Sequence, residues 1–147
     1  MKEAGAWPLS AIDGGDDFAL AILHWLWCRG YDAFLDVKDI SAGEWLPQLL
    51  AGIDGAPNFI LILSDGALDD PKEGKSDWMR KEIQHALRMA KNIVPIRLEE
   101  FVWPKPLPGD IEGLRKRQAI LHNHLQSEQT FDRMEEFLRS RKRTYNS

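Results

Sequence analysis

Apolar positions in this chain form two kinds of pattern, short continuous runs and longer stretches with helical spacing. The clearest run is FILIL at residues 59–63, inside a predicted strand over residues 58–64. A run without polar alternation is typical of a strand that is covered on both faces, as in a parallel sheet. The clearest helical stretch covers about residues 76–90, and its apolar face comprises Met79, Ile83, Ala86, Leu87 and Ala90.

The rest of the chain continues this alternation of strands and helices. Further strands are predicted at residues 7–12, 31–36, 92–98 and 119–122. Further helices are predicted at residues 18–29, 44–54, 107–116 and 129–141. Pro8 argues against a central position for the first strand, and Pro95 indicates an end or irregularity, because proline removes a ladder donor. The alternation predicts an α/β fold, a flavodoxin-like, doubly wound parallel sheet with right-handed crossovers.

The two ends of the chain are less regular than its middle. Residues 1–17 predict an atypical first strand and then a turn at 13–17, with an aspartate available to cap the next helix. Gly30 is predicted to end that helix, because glycine readily adopts the left-handed conformation of a helix C-terminus. The last helix has Phe131, Met134, Phe137 and Leu138 on one face, and residues 142–147 predict a frayed tail. The whole chain, residues 1–147, is predicted to be a single domain.

Composition and charge indicate an ordinary globular protein. Of the 147 residues, 44% are hydrophobic and 29% are charged, and the net charge of −4 does not favour nucleic-acid binding. Four cations near the end, Arg139, Arg141, Lys142 and Arg143, are expected to complement the negative end of the last helix dipole. The longest apolar stretch, residues 18–28, is too short to span a bilayer, and no signal peptide is evident.

Cys28 is the only cysteine, so no disulfide can form within the chain. Because it lies in an apolar helix, we expect it to be a small core residue. The absence of disulfides fits a reducing compartment, and we expect a cytoplasmic protein.

A candidate site follows from where the predicted strands end. Ligands of an open parallel sheet bind beyond the carboxyl ends of the strands, which here include residues 36–43, 64–67 and 97–103. The 76–90 helix starts from the same edge, and Trp78 and Glu82 share one side of it beside the apolar face. We interpret Glu82 as a candidate catalytic carboxylate beside an indole. The further substrate-binding candidates at this edge are Trp45, Asp36, Ser64, Gly66 and Ala67.

The alternative for the Trp78–Glu82 pair is a solvated glutamate next to a tryptophan at the edge of the core. Other chemistry is less well supported. The chain contains no GxGxxG or GxxxxGK[ST] loop, and Ser64 lacks the flanking residues of a nucleophile elbow. His122 and His124 alternate as on a strand, but no third ligand is evident, so no metal is expected.

Five segments resemble the Toll/interleukin-1 receptor (TIR) domain family in order and spacing. They are GYDAFLD at 30–36, ISAGEW at 40–45, NFILILSDGAL at 58–68, DWMRKEI at 77–83 and KNIVPI at 91–96. The resemblance extends from about Phe18 to the end of the chain. The strings LSDGALD at 63–69, DWMRKEI at 77–83 and FVWP at 101–104 are similar to the subgroup of NAD-hydrolysing TIR domains fused to sterile alpha motifs.

The resemblance implies the TIR fold and cleavage of NAD+ at the nicotinamide–ribose bond. The products would be nicotinamide and ADP-ribose, with cyclic ADP-ribose as a further product. Glu82 matches the catalytic glutamate of the family, and Trp78 and Trp45 match aromatic positions near the substrate. The family's assembly loop, which packs against a neighbouring copy, corresponds to Asp39, Ile40, Ser41, Ala42 and Gly43.

The implied partners are NAD+ as substrate, other copies of this chain and other TIR domains, with no cofactor. The implied setting is signal transduction in innate immunity and cell death. The chemistry fits a glutamate, because loss of nicotinamide leaves an oxocarbenium-like ribosyl cation that a carboxylate stabilises. Burial against an indole is expected to raise the pKa of that carboxylate, which must nevertheless remain ionised to act.

Two alternatives to the enzyme remain. Family members carry basic residues after the first strand that help hold the substrate, and the stretch at residues 7–12 has no arginine. This difference favours a TIR interaction module that signals through homotypic contacts without turnover. A receiver domain of flavodoxin-like fold is suggested by the acidic pair Asp36 and Asp39, but the lysine expected after a later strand is not evident.

Overall fold

The computed structural model describes residues 10–13, 17–35, 54–68, 78–104 and 109–146. The strands in this part of the chain are β1 (Ser10–Asp13), β2 (Ala33–Leu35), β3 (Asn58–Leu63), β4 (Asn92–Arg97) and β5 (Ile120–Leu121). The helices are α1 (Asp17–Cys28), α2 (Trp78–Arg88) and α3 (Ser127–Asn146). Two 3₁₀ segments, Gly109–Lys116 and His124–Gln126, lie on either side of β5.

The strands form one parallel sheet in the order β2-β1-β3-β4-β5. The described part of the chain begins with β1, β2 pairs with one side of it, and β3 pairs with its other side. The strand order therefore reverses between β1 and β3, which is the switch point where ligands bind in doubly wound folds. This topology confirms the predicted α/β fold.

Each face of the sheet is covered by its own helices. Side chains alternate between the faces along a strand, and Ile60 and Ile62 of β3 pack in a core with α1 and α3. Phe59, Leu61 and Leu63 pack on the opposite face with α2 and the first 3₁₀ segment. We call these the α1/α3 face and the α2 face. All six residues of β3 are buried, as the continuous apolar run predicted.

Prolines led to two predictions about the strands that the structure corrects. The first strand is internal, paired with β2 and β3, and its described part begins at Ser10, two residues after Pro8. Pro95 lies within β4 in register with Leu61, not at an end or an irregularity.

The hydrogen bonds of β4 explain why proline is tolerated there. Asn92 and Leu98 donate their N–H groups to Pro57 and Leu63 beside β3. Because peptide groups alternate in direction along a strand, the nitrogen of position 95 points to the other side, toward β5. β5 pairs with β4 only at positions 96 and 97. Pro95 therefore removes no hydrogen bond to β3.

Helix α1 agrees with its prediction to within one residue at each end. It buries Ala19, Ile22, Leu23 and Leu26 on one side. Gly30 follows with φ +88°, the left-handed conformation expected of the residue that ends the helix. The core prediction for Cys28 is wrong, because this residue is exposed. It lies on the outer side of the helix together with Leu20 and Trp27, which are 45% and 54% exposed.

Helix α3 is longer than predicted and is attached to α1 by a polar network. Met134 and Leu138 are fully buried, and the helix continues through Asn146, across residues 142–146 of the predicted frayed tail. Basic residues favour this extension, since they are good helix formers and complement the negative end of the dipole. Arg29 donates two hydrogen bonds to Glu135, at 3.0 and 3.1 Å, and Tyr31 donates a third at 3.0 Å.

Some predictions lie outside the described residues. They include the 44–54 helix, apart from Asp54, and the loop at residues 36–43. Among the helices that the structure does describe, none has the length and apolar character needed to cross a membrane.

Candidate active site

Glu82 lies in the second turn of α2, on the side of the helix that faces the sheet. The side chain is 0% exposed, as are Ile83 and Ala86 on the same side. Because α2 begins after the carboxyl end of β3 and runs back along the sheet, Glu82 is close to the ligand-binding edge. The alternative of a solvated glutamate is therefore wrong.

Asp13 is a second buried carboxylate that the sequence did not single out. It was predicted to be in a turn, but it is the last residue of β1 and is 0% exposed. It alternates with Ile12, which faces α1 and α3, so Asp13 faces α2 and is in register with Leu61. Extending the strand by one residue and applying the same alternation would have identified it.

Two acidic side chains, Asp13 and Glu82, are buried on the α2 face toward the carboxyl edge of the sheet. Acidic residues are rarely fully buried, because moving a carboxylate out of water is costly. Their common position at the ligand-binding edge makes both of them candidates for a functional role.

The carboxyl end of β3 forms a tight turn at the same edge. The N–H of Ala67 donates to the carbonyl oxygen of Ser64 at 3.0 Å. Gly66 has φ +75°, which glycine adopts without the steric cost of a Cβ atom. Ser64, Gly66 and Ala67 thus lie at the carboxyl edge of the sheet, and their role in substrate binding stays a prediction.

Beyond β4, aromatic and cationic groups continue this edge. Phe101 is buried and contacts Trp103 edge-on, with ring centroids 5.2 Å apart. The guanidinium of Arg115 lies 5.5 Å from the ring centroid of Trp103, within cation–π distance. Arg97, the last residue of β4, donates to the carbonyl oxygen of Phe101 at 3.3 Å.

Several predicted site residues cannot be compared with this geometry. Trp78 begins α2, but its side chain lies outside the described part of the structure. Trp45 and Asp36 also lie outside it, as do the five assembly-loop residues, Asp39 to Gly43. The roles of all these residues stay predictions.

Polar side chains away from this edge pack against and bond to other parts of the fold. His122 is 1% exposed, stacks on Phe18 with centroids 4.0 Å apart, and is hydrogen-bonded through Nδ1 to Thr130 Oγ1 at 2.9 Å. It is thus a packed histidine on the α1/α3 face. His85 Nε2 lies 2.6 Å from a carboxylate oxygen of Asp54, and Lys91 donates to the Asp54 carbonyl at 2.8 Å. These bonds fix the end of α2 that lies away from Glu82.

One surface cavity lies at the opposite edge of the sheet. It is lined by residues around the start of β4 and by parts of the C-terminal region, namely Asn92, Ile93, Arg117, Gln118 and Phe137. This cavity is separated from Glu82 by the length of the strands, and we do not include it in the candidate site.

Comparison with known proteins identifies the class to which this sheet and its edge belong. Residues 12–138 match the model of the TIR domain family, which is most of the chain. The chain belongs to the TIR domain family.

Three relatives are similar over most of this chain. The NAD(+) hydrolase SARM1 of Danio rerio is 38% identical over 84% of this chain and 18% of its own length. The NAD(+) hydrolase sarm1 of Drosophila melanogaster is 33% identical over 87% of this chain and 10% of its own length. The NAD(+) hydrolase tir-1 of Caenorhabditis elegans is 34% identical over 75% of this chain and 12% of its own length. The chain therefore spans less than a fifth of each of these relatives.

Proposed function

We propose that this TIR domain hydrolyses NAD+ at the nicotinamide–ribose bond, with Glu82 as the catalytic carboxylate. The observation that carries the proposal is the complete burial of Glu82 on the sheet side of α2, near the carboxyl edge of the strands. A fully buried glutamate is uncommon without a structural or functional reason. The similarity to three proteins named NAD(+) hydrolases supports the same conclusion.

The proposed reaction is a glycosidic cleavage. The bond between ribose C1′ and the pyridinium nitrogen breaks, and its electron pair leaves with nicotinamide, which becomes neutral. The ribosyl group becomes an oxocarbenium-like cation that the Glu82 carboxylate stabilises. Water then adds to C1′ and releases a proton, so the products are nicotinamide, ADP-ribose and H⁺. Attack by an adenine nitrogen instead of water gives cyclic ADP-ribose.

The reaction needs no cofactor, because the substrate already carries a good leaving group. Nicotinamide departs from a cationic ring, so no metal or acid has to neutralise a developing negative charge. The proposed substrate contacts are Trp78, Trp45, Asp36, Ser64, Gly66 and Ala67. The proposed assembly loop, residues 39–43, packs against another copy, and activity rises with self-association in the cytoplasm during signalling.

A non-catalytic interaction module is the second candidate. The specific observation in its favour is that β1 ends in the buried acid Asp13, where a base would assist an anionic substrate. Such a module would act through contacts with TIR domains of its own or of other chains.

Nicotinamide release from NAD+ separates these two candidates. Purified protein is assayed dilute, concentrated and in a crowding agent, beside Glu82→Gln and the control Glu112→Gln, which removes an exposed carboxylate. We expect turnover per molecule to rise steeply with concentration, to fall at least about 100-fold in Glu82→Gln, and to be unchanged in the control. No turnover from folded wild-type protein in any condition would leave the interaction module as the function.

A further inference from the structure

Arg97 occupies the carboxyl end of β4 on the same face of the sheet as Glu82. It is the last residue of the strand and is in register with Leu63, the last residue of β3. Val94 and Ile96 pack on the α1/α3 face, while Ile93 packs on the α2 face. By this alternation, position 97 faces α2, the helix that carries Glu82.

The guanidinium of Arg97 has unused hydrogen-bonding capacity. It carries five N–H donors, and one of them, on Nη2, is bonded to the Phe101 carbonyl at 3.3 Å. Its Nε is buried and has no hydrogen-bond partner within the part of the chain that the structure describes. Arg29 is a useful contrast, since two of its donors are bonded to the carboxylate of Glu135.

The charges around this edge explain what the guanidinium could hold. Asp13 and Glu82 are both 0% exposed, so two acidic side chains lie on the α2 face toward this edge. NAD+ combines a positive pyridinium with a negatively charged diphosphate, separated by a ribose. Carboxylates attract the first and repel the second, so a bound diphosphate needs a cation placed away from them.

Arg97 is separated from Asp13 by the width of β3. β1 and β4 lie on opposite sides of β3, about 10 Å apart at two strand spacings, and Arg97 lies two register positions further along the sheet than Asp13. A planar guanidinium with two donors on one edge also matches the geometry of phosphate oxygens.

We propose that Arg97 is a substrate-binding residue that holds the diphosphate of NAD+ at the carboxyl end of β4. This inference rests on the proposed function, and it adds the anion-binding residue that β1 does not supply. Arg97 fixes the substrate so that the nicotinamide–ribose bond lies toward Glu82, and it takes no part in bond cleavage.

The test is a calorimetric titration with ADP-ribose, which carries the diphosphate and requires no turnover to be measured. We expect Arg97→Gln to weaken binding about tenfold or more, and Arg97→Lys to lie between it and wild type, because lysine keeps the charge without the planar pair of donors. Arg88→Gln is the matched control, since Arg88 is exposed at the far end of α2. It should bind ADP-ribose like wild type.

The salt dependence of binding distinguishes a contact with the diphosphate from a structural role. If Arg97 contacts the diphosphate directly, the affinity of wild type falls with ionic strength more steeply than that of Arg97→Gln. If the substitution only loosens the loop, the variant binds more weakly but its affinity falls with ionic strength as steeply as that of wild type. Equal affinities of wild type and Arg97→Gln, parallel salt curves, or no binding of ADP-ribose to wild type at millimolar concentration would overturn the proposal.

The two proposals fail in different ways. If wild type binds ADP-ribose through Arg97 but releases no nicotinamide from NAD+, the proposed hydrolysis is wrong and the anion site stands. If nicotinamide is released and Arg97→Gln leaves both ADP-ribose binding and the KM for NAD+ unchanged, the hydrolysis stands and the role of Arg97 is wrong.

Discussion

The two faces of the sheet bury their polar groups in different places and to different effect. On the α1/α3 face, Glu135 accepts hydrogen bonds from Arg29 and Tyr31, and His122 is bonded to Thr130. These groups lie between helices, and their partners come from other elements of the same fold. Their role is to join α1, β5 and α3.

On the α2 face, the buried polar groups lie instead toward the carboxyl edge of the strands. The buried groups are Asp13, which ends β1, and Glu82, in the second turn of α2; Arg97, which is only partly buried, ends β4. This is the edge where an open parallel sheet binds its ligands. Burial alone therefore does not identify a candidate site, because His122 is buried just after β5 and yet packs on Phe18 and bonds to Thr130.

Glu82→Gln gives the largest expected effect and tests the functional side of this comparison. We expect nicotinamide release to fall at least about 100-fold, because the neutral amide cannot stabilise the ribosyl cation. The melting temperature of the variant shows whether it is folded at the temperature of the assay. Turnover assays and thermal melts of the same preparation measure both. A variant that is destabilised by several degrees and keeps its turnover would make Glu82 a structural residue.

Ile62→Ala tests how strongly the apolar core of the α1/α3 face holds the fold. Ile62 is 1% exposed in the middle of the sheet, and truncation there should lower the free energy of unfolding by about 2–5 kcal/mol. Urea denaturation followed by circular dichroism measures the change. Leu20→Ala, on the outer side of α1, is the control, and we expect an effect within about 1 kcal/mol. Similar losses for the two variants would contradict the assigned core.

Glu135→Gln tests the structural side of the comparison. Removing this charge weakens the bonds from Arg29 and Tyr31, and we expect the melting temperature to fall by roughly 4–8 °C. Turnover per folded molecule should not change, because Glu135 is far from the carboxyl edge. Thermal melts and nicotinamide assays report the two quantities separately. Loss of turnover in protein that is fully folded would show that the two faces are coupled.

The smallest expected effect concerns pH. The hydrogen bonds that Arg29 donates to Glu135, together with the charge of that carboxylate, raise the pKa of Arg29 above its ordinary value. A raised folded-state pKa stabilises the protein fully below the pKa of the unfolded chain, and this contribution is lost only as pH rises through the folded value. The stability difference between wild type and Arg29→Gln should therefore stay constant from pH 7 to 10. A difference that shrinks steadily over this range would contradict the assignment.

Sequence patterns predicted most of the fold because the burial they report is local. The run at residues 59–63 identified a strand covered on both faces, and Gly30 identified the end of α1. Predictions failed where the type of a single residue was used to infer a property that depends on distant parts of the chain. Pro95 was read as an interruption, but its nitrogen points to the side where β5 pairs only later positions. Cys28 was predicted to lie in the core because α1 is apolar on most sides. The sequence of this helix does not show which of its sides packs against the sheet.

The candidate site was predictable only in part for the same reason. Helical spacing placed Glu82 beside the apolar face of its helix, and the order of elements placed that helix at the ligand-binding edge. Arg97 could not be found in this way, and Asp13 was missed because the predicted strand ended one residue too early. Their relation to Glu82 depends on which strands are neighbours and on which face each side chain lies.

Hydrophobic periodicity and short motifs, which act over a few residues, predicted the alternation of strands and helices, the buried central strand, the TIR resemblance and the choice of Glu82. The internal position of β1, the exposure of Cys28 and the placement of Arg97 on the face of Glu82 emerged only from the folded chain. Strand order and the orientation of each element arise from contacts between distant parts of the chain, and these contacts bring the charges together at one edge.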